Sequence, residues 1–305
     1  MADQLHIIEN EFWQIGILPD TGASLAFARA RRGEDWVDIL RPTPASDYGS
    51  SSKCSSFIML PWCNRIKDAQ LRFGSQTYQL KPAPDDGTAR HGDVRSRAWR
   101  LEVQAGDRLH LRLNSLDYPD MNFPFRFSAR ALFWLERRDF VLWLSLKNED
   151  IYPMPGGFGH HPYFVRPGGT NTPVVQIPCS QQFELVDYLA VDAPIPVKPA
   201  LDFREPRALD ERELNDVLTG CKPEEPVRIV YPAWKLQVDM HSDPVFQHIL
   251  IFAPAGQPYF AVEPMSNVND GFNLYVNRIP GSGVFVLLPG EEKSGMVRLR
   301  LRATE

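Results

Sequence analysis

No stretch of this chain is rich in lysine and arginine, and its formal net charge is −5. A surface built to hold a polyanion is therefore not expected, so nucleic acid is not an expected partner. No apolar run is long enough to cross a bilayer, which argues against a membrane partner. The opening "MADQLHIIENEFWQIGILPD" lacks a basic region followed by an apolar stretch. No export signal is expected from it, and the expected location is cytoplasmic. Cysteine is scarce: Cys54, Cys63, Cys179 and Cys221 stand far apart, with no C-x-x-C. That excludes zinc-type spacing, and the four read as reduced thiols. There is no H-E-x-x-H or H-x-x-x-H helix pattern, so no metal is expected. There is no G-x-S-x-G, which removes a serine-hydrolase elbow. Helical pattern is almost missing too. Only "ALDERELNDVLTG" reads as a helix, ending at Gly220 as its C′ residue.

What the chain does have is period-two alternation. "FWQIGILPDTGASLAFARA" reads as strand, turn, strand. In "WRLEVQAGDRLHLRLNS", Leu101 and Val103 alternate with polar neighbours, "AGD" turns, and Leu109, Leu111 and Leu113 resume the alternation. "FRFSARALFWLERRDFVLWLSLKNED" repeats this with "RRD" as the turn, and "HILIFAP", "YFAVEP", "GVFVLLPGE" and "GMVRLRLRA" continue it. Such alternation marks half-buried antiparallel strands. The 27 prolines belong in connections, because proline interrupts helices and central strands. Long irregular stretches such as "RPTPASDYGSSSKCSS" are flanked by strands of the same character, so none is a linker. The expected architecture is all-β: one large antiparallel β-sandwich forming a single domain over residues 1–305.

Polar residues that interrupt the apolar runs are the candidates for chemistry. "GFGHHPYF" sets His160 and His161 between glycines and the aromatic pair Tyr163 and Phe164. One histidine packing and the other bonding backbone would explain the pair structurally. The glycines, however, permit close approach, and flat rings beside hydrogen-bonding groups suit a sugar. Histidine also titrates near neutrality and can serve as general acid or base. "PWCNRI" carries Asn64 and Arg65 inside an apolar run, where polar groups need partners. "RHGDVRSRAW" carries His91, and Arg95 and Arg97 two residues apart, which on an extended strand would share one face. "YFAVEPMSNVNDGFN" ends an apolar run on Glu263, where burial would raise the carboxyl pKa and make a better base.

These segments, taken in order, resemble the aldose 1-epimerase (galactose mutarotase) family. "NRI" at 64–66, "HG" at 91–92, "PFRF" at 124–127, "HPYF" at 161–164, "EPM…DGFN" at 263–273 and "LLPGE" at 287–291 carry the likeness. They cover most of the chain. The resemblance implies a β-supersandwich and cofactor-free interconversion of the α and β anomers of free aldoses. Carried over by position, it implies His161 as general acid and Glu263 as general base. It implies Arg65 and His91 as residues holding the ring oxygen and hydroxyls, with Asn64 and Tyr163 on binding segments. His160 matches no family role. The family commonly has a hydroxyl-binding aspartate where this chain reads "LNDVL", with Asn215 at that position and Asp216 one step on.

The residues suit the reaction. Mutarotation needs a base for the anomeric hydroxyl and an acid for the ring oxygen, with no redox group and no metal; each such group typically contributes about a hundred- to ten-thousand-fold. The expected substrate is a free aldohexose. Arg90, Arg95 and Arg97 pull toward a hexose 6-phosphate instead, since arginine binds phosphate well. A non-catalytic sugar-binding protein on the same sandwich is the other reading, and it would not need both His161 and Glu263.

Overall fold

In a computed structural model, which describes residues 4–304, nearly every alternating stretch is a strand. Trp13–Leu18 and Ser24–Arg32 are joined by a single 3-10 turn, Pro19–Thr21. Arg100–Ala105 and Arg108–Asn114 form the first expected hairpin, and Phe127–Glu136 with Asp139–Asn148 forms the second. Every strand pairing among the described residues that belongs to a large sheet is antiparallel.

Two large sheets result. The first, of 11 strands, runs in the order His6–Glu9, Trp13–Leu18, Ser24–Arg32, Ser56–Met59, Gly159–Val165, Tyr259–Met265, His248–Ala253, Leu214–Cys221, Cys179–Gln182 and Ile195–Pro196, with Asp35–Asp38 also pairing Ser24–Arg32. The second, of 9 strands, is centred on Asp139–Asn148, Glu292–Ala303 and Leu236–Ser242. Alternate residues of both sheets share one core. Ile15, Leu25, Ile58, Phe164, Phe260 and Val262 come from the first, and Leu111, Phe133, Leu142 and Leu299 from the second. Fully burying one such side chain contributes roughly 1.5–3 kcal/mol. This is the expected all-β sandwich.

The other face of the first sheet has its own apolar cluster. Phe57, Met59, Tyr163, Val217, Leu250, Ala261 and Met265 point there, covered by Cys63, Phe183, Val268 and Leu274 from connecting segments. Because successive strand residues alternate faces, the central strands of this sheet serve two buried layers at once.

Two expectations fail. The stretch read as a helix is a strand at Leu214–Cys221, paired on both sides with Cys179–Gln182 and His248–Ala253. Its apolar residues Leu214, Val217 and Leu218 fall at the i, i+3, i+4 spacing of a helix, and pairing on both edges overrides that local pattern. Gly220 does adopt a left-handed φ of 64°, but inside that strand and not as a helix cap. Nor are all four cysteines thiols, because Cys179 and Cys221 form a disulfide. The register sets them directly opposite each other. Cysteine usage therefore no longer argues for a reducing compartment.

Candidate active site

The site grows from two neighbouring strands of the first sheet. In Gly159–Val165, His161 shares the outer face with Tyr163, while Phe164 goes into the sandwich core. His160 points the other way, and its Nε2 lies 2.9 Å from Ser56 Oγ in a buried contact. In Tyr259–Met265, Glu263 shares the outer face with Ala261 and Met265. It sits inside the strand, not at the strand end that the sequence suggests. The register pairs Gly159 with Met265 and Tyr163 with Ala261, which sets His161 opposite Glu263. Between those pairs the ladder is absent, and Pro162 and Pro264 supply no N–H to build it. The strands part, and His161 Nε2 meets Glu263 Oε1 at 3.0 Å.

Burial dominates the electrostatics of the pair. His161 and Glu263 are only 5% and 1% exposed. Desolvation lifts the Glu263 carboxyl well above the ordinary carboxylate range, opposed by the charge of Arg65. It drops His161 well below the ordinary histidine value, and the charges of Arg95 and Arg41 add to the drop. Both shifts favour the neutral form of each partner across the 3.0 Å contact. Glu263 Oε2 has no hydrogen-bond partner among the described residues, which leaves it free to accept one from a ligand.

Aromatic rings wall the pair. Phe57 stacks on His161 with centroids 4.4 Å apart, Tyr163 lies at 4.5 Å, and His91 meets His161 edge-on at 5.5 Å. His91 is held by its own backbone: its N–H donates to the Asn64 carbonyl at 2.7 Å, and its φ is +59°. Gly92 beside it must be glycine. Its φ is +69°, and an added Cβ would lie 1.9 Å from the Leu60 carbonyl oxygen. Burial, then the charges of Arg95, His161 and Arg65, pushes His91 well below the ordinary histidine value.

Asn64 and Arg65 arrive on the segment after Pro61. Arg65 Nη1 donates to Asn64 Oδ1 at 3.3 Å, and Arg65 Nε to Asp86 at 2.9 Å. Burial pushes the Asp86 carboxyl up, but bonds from Thr88 and Arg65 win and bring it down to about 2. That segment is clamped by Asn267: its Oδ1 accepts from the Cys63 N–H at 2.9 Å, and its Nδ2 donates to the Cys63 carbonyl at 3.2 Å. Gly157 explains one glycine of "GFGHH", because a Cβ there would lie 1.9 Å from Asn267 Oδ1.

Asn215 and Asp216 stand apart. Asn215 shares the outer face with Val217, whereas Asp216 shares the parity of Leu214 and Leu218, which face the sandwich core. Asp216 Oδ2 accepts from the Asn215 N–H at 3.2 Å. Both line a cavity of about 470 Å³ with Gln182, Tyr188 and Lys198. Tyr188 also lies under the Arg65 guanidinium, 4.9 Å away, which links this cavity to the Arg65 side of the site. Among the described residues, no hydrogen bond or ion pair joins Asn215 or Asp216 to His161 or Glu263.

The shared face expected for Arg95 and Arg97 is not observed. Val94–Ser96 is a 3-10 turn, so the two side chains diverge. Arg97 goes to Asp93 and Asp120, while Arg95 lies over the Phe57 ring. Sequence reading also missed Arg41, Phe57, Asp86 and Asn267. Phe57 was visible only as one more apolar residue in "SSFIML". Among the described residues no group of three histidine, cysteine or acidic side chains is placed to hold a metal.

Comparison with known proteins follows the same outline. The Escherichia coli K12 protein YphB, described as uncharacterized, is 26% identical over 275 residues, covering 88% of this chain and 90% of its own. The GalM/aldose epimerase homologue of C. elegans superposes with a TM-score of 0.84 over 100% of both chains at 16% identity. A galactose mutarotase-like protein of Clostridium acetobutylicum gives 0.83 over 99% of each chain, also at 16%. At such identities the two structures establish the shared galactose mutarotase-like sandwich. The sequence model of the aldose 1-epimerase family matches residues 16–300, a span that takes in all but the outermost part of the two large sheets and every residue around the His161–Glu263 contact, and the chain belongs to that family.

Proposed function

We propose that this chain interconverts the α and β anomers of an aldohexose by acid–base opening and closing of its ring. The observation that supports the reading is the 3.0 Å contact between His161 Nε2 and Glu263 Oε1, buried among aromatic rings. In the Glu263-carboxylate, His161-imidazolium form, Glu263 accepts the proton of the C1 hydroxyl. His161 donates to the ring oxygen, the bond from C1 to that oxygen breaks, and C1 becomes the aldehyde. Rotation about C1–C2 presents the other face of the carbonyl. The ring hydroxyl then adds to C1, returning its proton to His161, while Glu263 returns its proton to O1. The pair ends with the one proton it began with.

The surroundings fit these steps. Arg65, whose charge already opposes the raised pKa of Glu263, favours the carboxylate form and stabilises negative charge developing on oxygen. Tyr163 and Phe57 give a sugar flat apolar faces, and His91 and Asn64 bring hydrogen-bonding groups to the same wall. Asn215 and Asp216 are the hydroxyl-binding candidates at the Arg65 end, Asn215 from the sheet face that carries the pair. The "EPMSNVNDGFN" segment favours a free aldohexose over its 6-phosphate as substrate.

Polarimetry on freshly dissolved α-anomers tests the reading directly. The protein should speed the approach to equilibrium rotation. Glu263→Gln should fold normally yet lose a hundredfold or more in kcat/KM, because an amide cannot take the anomeric proton. Optical-rotation kinetics like those of the wild type in that variant would remove Glu263 from the mechanism.

A further inference from the structure

The outer face of the nine-stranded sheet takes no part in the acid–base site, which stands on the other sheet. Alternation sends Leu111, Phe133, Leu142 and Leu299 into the sandwich core and their neighbours outward. The register sets the outward residues in rows. His110, Leu132, Trp143 and Met296 form one row, and Trp134, Val141, Arg298 and His241 form the next. Leu132, Trp134, Trp143 and Met296 are half-buried, and Val141 is fully buried among them. Among the described residues, neither tryptophan has an aromatic or cationic partner, and neither indole N–H is hydrogen-bonded. Rings of this kind, apolar with one polar handle, are enriched at protein interfaces.

The charges around this apolar centre are ordered. Along Phe127–Glu136 the outward residues run Arg130, Leu132, Trp134, Glu136. Along Glu292–Ala303 they run Glu292, Ser294, Met296, Arg298, Arg300, Arg302. A strand laid on its own copy end for end would set Arg130 against Glu136, Leu132 against Trp134, and Glu292 against Arg302. Phe133, Leu142 and Val297 lie in one row and mark the midpoint of both orders, so a single two-fold axis across the strands serves both. Arg130, Glu136 and Glu292 are exposed and have no ion-pair partner among the described residues. Asp139 already holds Arg298 and Arg300, and Asp239 holds Arg302. The face therefore carries little excess charge, which lets two copies meet and gives a polyanion little to grip.

We propose that two copies of this chain pack through this face, sheet against sheet, about a two-fold axis along the row of Phe133, Leu142 and Val297. Such a contact is isologous, the commonest kind in homo-oligomers. It has the apolar centre and polar rim of a protein interface, with tryptophan, methionine and arginine prominent. From Arg108–Asn114 to Leu236–Ser242 the patch spans roughly 24 by 27 Å at ordinary strand spacings. With side-chain relief that is of the size a standard pair buries, about 800 Å² of accessible surface from each partner. The inference goes beyond the mutarotase reading and does not rest on it.

Sedimentation velocity on the purified chain, from about 1 to about 100 μM, tests the proposal. The mass should rise from one chain to two across this range. Trp143→Ala, which removes the ring set against Val141 of the second copy, should raise Kd tenfold or more. Arg130→Glu, which sets acid against acid, should do the same. Adding Glu136→Arg to Arg130→Glu exchanges the two signs and should bring Kd back to within a few-fold of wild type. Both charged positions are exposed, so these variants should keep the wild-type melting temperature. If Trp143→Ala fails to fold, the charge exchange alone decides. A pair that withstands Arg130→Glu, or an exchange that leaves the pair broken, would overturn the proposal. So would a chain that stays single at the highest concentration; binding of a short poly-glutamate peptide by that single chain would give the face to an acidic partner instead.

Discussion

His160 and His161 are adjacent, both buried, and both pushed toward the neutral form by burial, yet they occupy different worlds. His161 meets a carboxylate and two aromatic rings on the outer face of the sheet. His160 meets one hydroxyl on the inner face. A side chain that faces the core cannot reach a ligand on the outer face, whatever its pKa. His161→Asn should therefore lower kcat/KM by a hundredfold or more, the usual worth of a general acid. His160→Asn should keep activity within a few-fold of wild type and show its cost as a lower melting temperature. Parallel kinetics and thermal melts on the two variants check this. A reversed ranking would mean that the inner-face histidine carries the proton.

At the scale of elements, the site depends on how three segments are tied together. The Gly159–Val165 and Tyr259–Met265 strands carry the acid and the base, and the segment around Asn64 and Arg65 is fastened to them through Asn267. Asn267→Ala would leave the buried N–H and carbonyl of Cys63 without this partner, at a cost of roughly 1–3 kcal/mol for an unsatisfied buried group. It should also raise KM more than it lowers kcat, because Arg65 and Asn64 would shift while His161 and Glu263 keep their strands. Urea unfolding and steady-state kinetics together test the split; a fall in kcat alone would place Asn267 in the chemistry. Much at this scale was legible in the sequence. The hairpins at 100–114 and 127–148 follow from alternation, and the prolines of "HHPYF" and "VEPM" were in plain view. What those prolines do was not, because it depends on the register that sets Pro162 and Pro264 on facing strands. The Leu214–Cys221 strand was misread because Leu214, Val217 and Leu218 sit at helical spacing around the polar Asn215 and Asp216, and only pairing with strands distant in sequence makes it extended. The Cys179–Cys221 disulfide was invisible for a related reason: its residues are 42 apart and meet only through strand pairing. Arg41 lay outside every segment of the family resemblance, and only folding brings it to Tyr163.

For the whole molecule, a sandwich with two buried layers places His160 and His248 where burial disfavours a charge. His160 and His248 are fully buried, and burial alone lowers each from the ordinary 6.5 to about 3. His248 bonds Thr219 Oγ1 through Nδ1 at 3.0 Å and meets no carboxylate among the described residues. Between pH 6.5 and 3 the unfolded chain binds protons at these positions that the folded chain does not. The unfolded state holds the excess, so stability falls as pH falls through that window. Glu263 acts in the opposite sense: its raised pKa makes the folded state the better proton binder above pH 4.5, so its contribution is lost as pH rises. A bare stability–pH curve mixes the two, and a difference between variants separates them. At pH 5 the chain is about 1.5 pH units below the ordinary histidine value, so His248 should cost the wild type about 2 kcal/mol relative to pH 7.5. His248→Asn carries no such proton. Whatever its own packing cost, the stability advantage of wild type over His248→Asn should shrink by about 2 kcal/mol between pH 7.5 and pH 5, measured from urea midpoints at both pH values. An advantage that stays constant would mean that His248 takes up a proton as readily folded as unfolded. The face shared with Thr219 and Phe183 would then have to admit water or an acidic partner.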